Sequence, residues 1–266
     1  MLFLISTPIG TLSDISLRAI ETLRLCDYVL CEDTRRSRIL LEHYAIHKPL
    51  ESYYLEEEKL DKVIRDLKEG KTLGLLSDAG TPLICDPGQQ LVQTCIKENI
   101  SFTAIPGPTA LVHALVLSGF PSIPFQFLGF APRKQGEILH MLYLITSFPG
   151  TTIIYESPKR LVETLRIIAN VHPSLEIAIA RELTKTFEEV LRFNAKEAYQ
   201  YFVHKEPLGE IVLLFRGHVD LFAYHTPETL VQELQTIYKL SLPEAIKSTA
   251  KLLGLAKQEV YKKFHL

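Results

Sequence analysis

The chain has 266 residues, a net charge of -2 and 47% hydrophobic residues. That length fits one large or two medium domains, and the composition excludes a disordered chain. The near-neutral charge excludes a protein that is basic throughout, so a polyanion would have to meet a local patch.

The opening residues, Met1-Leu2-Phe3-Leu4-Ile5, lack a basic stretch ahead of the apolar one and run straight into Ser6-Thr7-Pro8. No apolar run is long enough to cross a bilayer. The expectation is a soluble cytoplasmic protein. Cys26, Cys31, Cys85 and Cys95 form no C-x-x-C pair and sit among apolar residues, which reads as buried, reduced thiols.

Strand-like and helix-like segments alternate through the first half. Residues 2–6 form an apolar run that stops at Thr7-Pro8-Ile9-Gly10. Helical spacing of Ile15, Ala19, Ile20 and Leu23 predicts a helix over 14–25. A second strand over 28–31 ends in Glu32-Asp33-Thr34-Arg35-Arg36, and a helix carrying Ile39, Leu40 and Leu41 follows. Residues 55–67 predict an acidic amphipathic helix. The apolar run 72–76 then breaks at Ser77-Asp78-Ala79-Gly80-Thr81-Pro82, with Asp86-Pro87-Gly88 close behind and a helix from Leu91. A strand over 101–105 ends in Pro106-Gly107-Pro108-Thr109-Ala110, and residues 110–117 read as a buried helix. Alternation of this kind predicts a parallel, helix-covered sheet.

Gly119-Phe120-Pro121-Ser122-Ile123-Pro124 reads as a linker between domains. Beyond it, strands over 125–130, 151–155, 176–180, 189–193 and 210–215, with helical spacing at 139–145 and 160–168, predict a second α/β domain with a mixed sheet. In the tail, Ser241-Leu242-Pro243-Glu244 has the form of a capping box, Gly254 suits a helix end, and 256–264 can form another helix. Lys247, Lys251, Lys257, Lys262 and Lys263 outnumber Glu244 and Glu259 there. The expected layout is an α/β domain over 1–119, a second over 120–222 and a basic, helix-turn-helix-like tail over 223–266.

Three strand-end loops have the same make-up. Residues 7–10, 78–82 and 106–110 are rigid, small and free of lysine. None is a phosphate loop or a dinucleotide fingerprint. Parallel strands bring their carboxyl ends to one edge, where open α/β sheets bind ligands. His43 and His47 lack the glutamate of a zinc helix, so no metal site is expected. Tyr53 and Tyr54 could stack on a base, or simply pack.

Seven blocks in order carry a more specific signal: residues 6–10, 32–35, 77–82, 86–88, 106–108, 155–160 (Tyr-Glu-Ser-Pro-Lys-Arg) and 180–185 (Ala-Arg-Glu-Leu-Thr-Lys). Together they resemble the RsmI family, ribosomal RNA small subunit methyltransferase I, of the tetrapyrrole-methylase superfamily. The resemblance spans essentially the whole chain. It implies a two-domain tetrapyrrole-methylase-like fold, a homodimer, and S-adenosylmethionine as methyl donor in the cleft between the domains. It also implies methyl transfer to the ribose 2′-oxygen of a cytidine in small-subunit (16S) ribosomal RNA, free or in the assembled subunit. By position, Pro8, Gly10, Asp78, Ala79, Gly80, Pro82, Pro106, Gly107 and Ala110 would line the donor pocket, and strand residues 210–213 would back the adenine. Where the family carries a His-Asn-Glu-like cluster, this chain has Ser52-Tyr53-Tyr54-Leu55-Glu56-Glu57-Glu58. After Arg133-Lys134 it has Glu137-Ile138 in place of a second arginine.

Ribose methylation needs in-line positioning, an acceptor for the hydroxyl proton, and cations on the phosphates. Asp33 and Glu182 are the candidate proton acceptors or orienters; Arg35 and Lys185, counted with them as catalytic candidates, would hold the phosphates or be salt-bridged to these acids. Arg36, Lys159, Arg160, Arg181, Arg133 and Lys134 are further candidate phosphate holders. A corrin-precursor methyltransferase of the same fold and a non-enzymatic RNA-binding protein are the alternatives. The basic tail argues against the first and the three small-residue loops against the second.

Overall fold

A computed structural model of the chain describes residues 1–53, 57–205, 207–217, 226–236, 240–263. The first domain is an all-parallel sheet of β1 (Leu2–Ile5), β2 (Tyr28–Cys31), β3 (Leu50–Ser52), β4 (Leu73–Leu76) and β5 (Phe102–Ile105), in the order β3-β2-β4-β1-β5. Strand alternation divides its core into two layers. Leu2, Leu4, Leu73 and Leu75 pack against α3 (Glu57–Lys68) and α4 (Gln89–Lys97). Ile5, Val29, Cys31 and Leu76 pack on the other face against α1 (Leu17–Leu25) and α2 (Thr34–His43).

Several elements differ from expectation. The helix expected from residue 14 begins at Leu17, because Ser16 caps it by accepting from Ala19 N, and residues 12–14 form a separate 3-10 turn. Strand β3 lacks the apolar run that announces a strand; its pairing with β2 creates it. The helix from Leu91 starts two residues earlier, on Gly88.

The second sheet contains β6 (Phe125–Phe130), β7 (Thr151–Glu156), β8 (Glu176–Arg181), β9 (Glu189–Asn194) and β10 (Ile211–Arg216), in the order β6-β7-β10-β8-β9. Only β6 and β7 run parallel, so the sheet is mixed as expected. Helices α6 (Gln135–Thr146), α7 (Pro158–Val171) and α8 (Ala195–Val203) cover one face. The other face receives α5 (Ala110–Ser118), which follows the first sheet in sequence. Leu111, Ala114 and Leu115 of α5 join Ile153, Ala178, Val212 and Leu214 in one buried cluster. Helix α5 is therefore apolar because it covers this face of the second sheet, with Ile9 of the first domain in the same cluster.

Among the described residues the tail holds three helices rather than two: α9 (Pro227–Thr236), α10 (Leu242–Leu252) and α11 (Lys257–Lys262). Val231, Ala245, Ile246, Ala250 and Val260 form its own small core. Gly254, at φ +65, turns the chain between α10 and α11. Glu244 accepts from Ser241 N at 3.0 Å, as the capping pattern predicts. The expected tail boundary at 222/223 and the last residue of the expected helix 256–264 fall outside the described residues. Among the described residues, no helix is long and apolar enough to cross a membrane.

Candidate active site

Strands β1 and β4 lie side by side, yet their connections leave in opposite directions, β1 toward β2 and β4 toward β5. Such a switch point opens a crevice at the carboxyl ends of the strands. The loops after β1, β4 and β5 meet there. Thr7 and Gly80 exchange backbone hydrogen bonds of 2.9 and 3.1 Å. Ser6 Oγ donates to Thr81 Oγ1 (3.2 Å), and Thr81 Oγ1 donates to Pro108 O (3.1 Å). Gly80 sits at φ +86, and a Cβ there would lie 3.3 Å from Ile9 Cγ2 and 3.5 Å from Pro108 O. Leu83 and Cys85 also hold positive φ, at 73° and 68°. Left-handed backbone at non-glycine residues costs roughly 1–3 kcal/mol each and concentrates at ligand clamps.

Between the two sheets lies a cleft of about 350 Å³. The first domain lines it with Ile9, Glu32, Arg36, residues 78–81, residues 84–86, Thr109 and Ala110. The second domain supplies Phe130, residues 155–158 and residues 210–212. A neighbouring cavity of about 290 Å³ is lined by residues 7–10, Leu12, Arg36, Ile39, Asp78 and Lys185, among others. Ile9, Arg36, Asp78, Ala79 and Glu210 belong to both walls, so the two cavities adjoin.

The cleft is acidic on one side. Burial pushes the Asp86 carboxyl up to about 6, and the neighbouring Glu32 and Asp78 push the same way. Glu32 is raised by burial and by Asp78, with Arg36 opposing. Asp78 accepts from Asp33 N at 3.1 Å and faces Arg36 Nη1 at 3.5 Å. Ile9, Ile84, Phe130, Tyr155, Ile211 and Val212 make the rest of the wall apolar. Burial drives the Tyr155 hydroxyl up to about 12.

Among the residues the sequence suggested for a donor, Asp78, Ala79, Gly80 and Ala110 line the cleft, and Pro8 and Gly10 line the adjoining cavity. Pro82, Pro106 and Gly107 line neither. Gly107 instead permits a close approach of loops, since a Cβ there would meet Ser6 Cβ at 2.7 Å.

The suggested catalytic residues are placed differently. Asp33 and Arg35 line neither cavity. Asp33 caps α2 by accepting from Arg35 N (2.8 Å), and the Arg35 guanidinium grips it at 2.6 Å. Those bonds hold the Asp33 carboxyl down at about 2. Glu32 and Arg36, their immediate neighbours, face the cleft instead, because Arg36 lies about 100° further round the helix than Arg35. Glu182 lines neither cavity, while Lys185 lines the second and bonds Glu182 (2.9 Å) and Glu210 (3.2 Å).

Most other suggested phosphate holders are already engaged. Arg160 bonds the carbonyls of Ala131 and Pro132 at 2.7 Å and faces buried Glu156 at 3.3 Å. Arg181 pairs with Glu189 at 2.5 Å, and Lys134 with Glu137 at 3.5 Å. Tyr53 is 2% exposed in the first core and cannot stack on a base; Tyr54 lies outside the described residues. His43 ends α2 and His47 lies beyond it, so the pair shares no helix face. Among the described residues no group of metal-ligating side chains occurs. Cys26, Cys31 and Cys95 are buried, whereas Cys85 is exposed on the cleft wall, which corrects the expectation for that thiol. Sequence reasoning assigned no role to Glu32, Asp86, Phe130 or Tyr155, although the Glu32-Asp33, Asp-Pro-Gly and Tyr-Glu-Ser-Pro blocks contain three of them.

Residues 1–199 match the family model of the Tetrapyrrole (Corrin/Porphyrin) Methylases. The ribosomal RNA small subunit methyltransferase I of Hydrogenobaculum sp. is 46% identical over 225 residues, covering 83% of this chain and 97% of that one. The protein of the same name from Halalkalibacterium halodurans is 38% identical over 275 residues, covering 99% and 94%. This chain belongs to the ribosomal RNA small subunit methyltransferase I family of tetrapyrrole methylases. The fold of the family recurs in solved structures of low identity. Diphthine synthase matches with a TM-score of 0.64 at 14% identity over 82% of this chain and 90% of that one. The uroporphyrin-III-C-methyltransferase of Thermus thermophilus gives 0.57 at 16%, over 80% and 93%.

The methyl donor of this methyltransferase family is S-adenosylmethionine, whose sulfonium supplies an electrophilic methyl group. The cleft suits it on two counts. The carboxylates of Glu32, Asp78 and Asp86 on one side favour a cationic ligand, and the apolar wall with a backbone-lined floor suits a flat base.

Proposed function

We propose that this protein methylates the ribose 2′-oxygen of a cytidine in small-subunit ribosomal RNA. In this reading the 350 Å³ cleft holds the donor and the 290 Å³ cavity admits the acceptor nucleotide. The observation that carries it is the shared wall of Ile9, Arg36, Asp78, Ala79 and Glu210, where two ligands would meet. Asp78, Ala79, Gly80 and Ala110 would hold the donor from the first domain, and residues 210–212 from the second, with Asp86 and Glu32 facing its positive charge. Pro8, Gly10, Arg36 and Lys185 would border the acceptor, the two cations toward its phosphates. Asp33, Arg35 and Glu182 would act by shaping these loops rather than on the proton, whose acceptor would come from the Glu32, Asp78 and Asp86 group.

The names of the relatives favour ribosomal RNA over a corrin acceptor. The lysine excess of the tail and its separate core support its role as an RNA-binding appendage over 223–266, behind domains of 1–119 and 120–222. A cytoplasmic homodimer is part of the same reading, as the family resemblance implies. The test is methylation with radiolabelled donor of free small-subunit rRNA, assembled small subunits and a corrinoid precursor, followed by mapping of labelled ribose. Label on a base, or on the corrinoid alone, would overturn the proposal.

A further inference from the structure

The loop after β8, carrying Glu182, Leu183, Thr184 and Lys185, reaches from the second domain to the first. Thr11 N donates to Thr184 Oγ1 at 3.0 Å, and Thr11 Oγ1 donates to Thr184 O. The fit is close: a Cβ on Gly10 would fall 2.6 Å from Thr184 Oγ1, 2.7 Å from Lys185 Cγ and 2.9 Å from Leu183 O. The loop also holds itself in a costly shape, with Glu182 at φ +51 and Thr184 at φ +64. Glu210 N donates to Glu182 Oε1 (3.1 Å), and Lys185 ties Glu182 to Glu210, which lines both cavities.

We propose that Thr184, clasped by Thr11, is a positioning residue: the loop is a clamp between domains that sets the width of the donor cleft. Neither Thr184 nor Thr11 lines a cavity, so neither is placed to touch donor or RNA. The clamp acts through its neighbours, because holding the loop fixes Lys185 and Glu210 at the wall where the cavities meet. Releasing it leaves the closed cleft only partly populated, and donor affinity falls by that fraction. The proposal rests on the donor occupying this cleft.

The experiment compares wild type, Thr184→Val, Thr184→Ser and Thr11→Val by calorimetry with S-adenosylmethionine, by steady-state methylation of small subunits and by thermal melting. Valine keeps the β-branched shape and removes only the hydroxyl. Loss of one such bond corresponds to about tenfold in affinity. The expected result is an increase of about tenfold in donor Kd and KM for Thr184→Val and Thr11→Val. At saturating donor, kcat should stay within about twofold of wild type, and Thr184→Ser should restore affinity. A lower melting temperature with unchanged donor Kd and KM would overturn the clamp and leave a merely structural contact. Should Thr184→Val fail to fold, Thr11→Val tests the same contact from the other domain, and unchanged affinity there overturns it equally. Failure of wild type to bind donor would instead remove the reading of the cleft itself.

Discussion

Arg36 Nη1 stands 3.5 Å from Asp78 Oδ2, and both side chains face both cavities. The pair is the partition between the proposed seats of a cationic donor and an anionic acceptor. In that reading the arginine would serve the acceptor side by its charge and temper the carboxylates on the donor side.

Arg36→Gln separates those two effects. RNA methylation should fall at least about tenfold in kcat/KM through a lost phosphate contact. Donor affinity should hold or improve, because Asp78 loses its cation and the cleft becomes more negative. Calorimetry with donor and a methylation series over RNA concentration check this; a weakened donor site with unchanged RNA kinetics would contradict it.

Asp86 should make the proposed donor site pH-dependent. Its carboxyl is raised from an ordinary 3.8 to about 6, chiefly by burial. The folded, donor-free protein therefore keeps a proton that the unfolded chain releases earlier, and its stability falls as pH rises from about 4 through about 6. The ionised carboxylate attracts a cation, so affinity for S-adenosylmethionine should rise across the same window. S-adenosylhomocysteine, which lacks the sulfonium charge, should show a smaller rise, and Asp86→Asn should flatten both curves. Equal slopes for the two ligands would count against Asp86 facing the positive centre.

Gly80→Val tests the joint between the first and fourth strands. At φ +86 a β-branched residue is strained by roughly 1–3 kcal/mol, and the added Cβ presses on Ile9. The Thr7 to Gly80 bridge should loosen, lowering the melting temperature and removing measurable donor binding. Wild-type affinity in this variant would take the loop out of the pocket.

Truncation after Ala223, which removes residues 224–266, tests the tail. Its helices bury their apolar side chains in their own core, so the two α/β domains should remain folded and donor Kd should stay within about twofold. Methylation of RNA should weaken, with a shallower dependence on salt as lysine contacts disappear.

The charged residues misplaced from sequence share one cause. The Glu32 to Arg36 block stands out in the sequence, but which of its charges face the ligand depends on where α2 begins. Asp33 caps that helix and ties up Arg35, so Glu32 and Arg36 are the ones that line the cleft. Glu182 and Lys185 are recognisable as a charged motif, yet only the second sheet's position against residues 10–11 makes that motif a clamp. Strand β3 escapes a sequence reading because its three half-buried residues carry no apolar pattern and its pairing with β2 decides it, while helix α9 is not among the elements expected from sequence.

By itself the sequence determined the alternation of strands and helices, the two-sheet architecture and the three small-residue loops at one sheet edge. Apolar periodicity and Gly/Pro punctuation are local properties, read within a few residues. Only the tertiary structure decided that β1 and β4 are neighbours, that α5 packs on the second sheet, and that Asp86, Tyr155 and Ile211 share one cleft. Those are contacts between residues far apart in the chain. Which side chain faces a cavity depends on the exact register of caps and strands, which local pattern does not reveal.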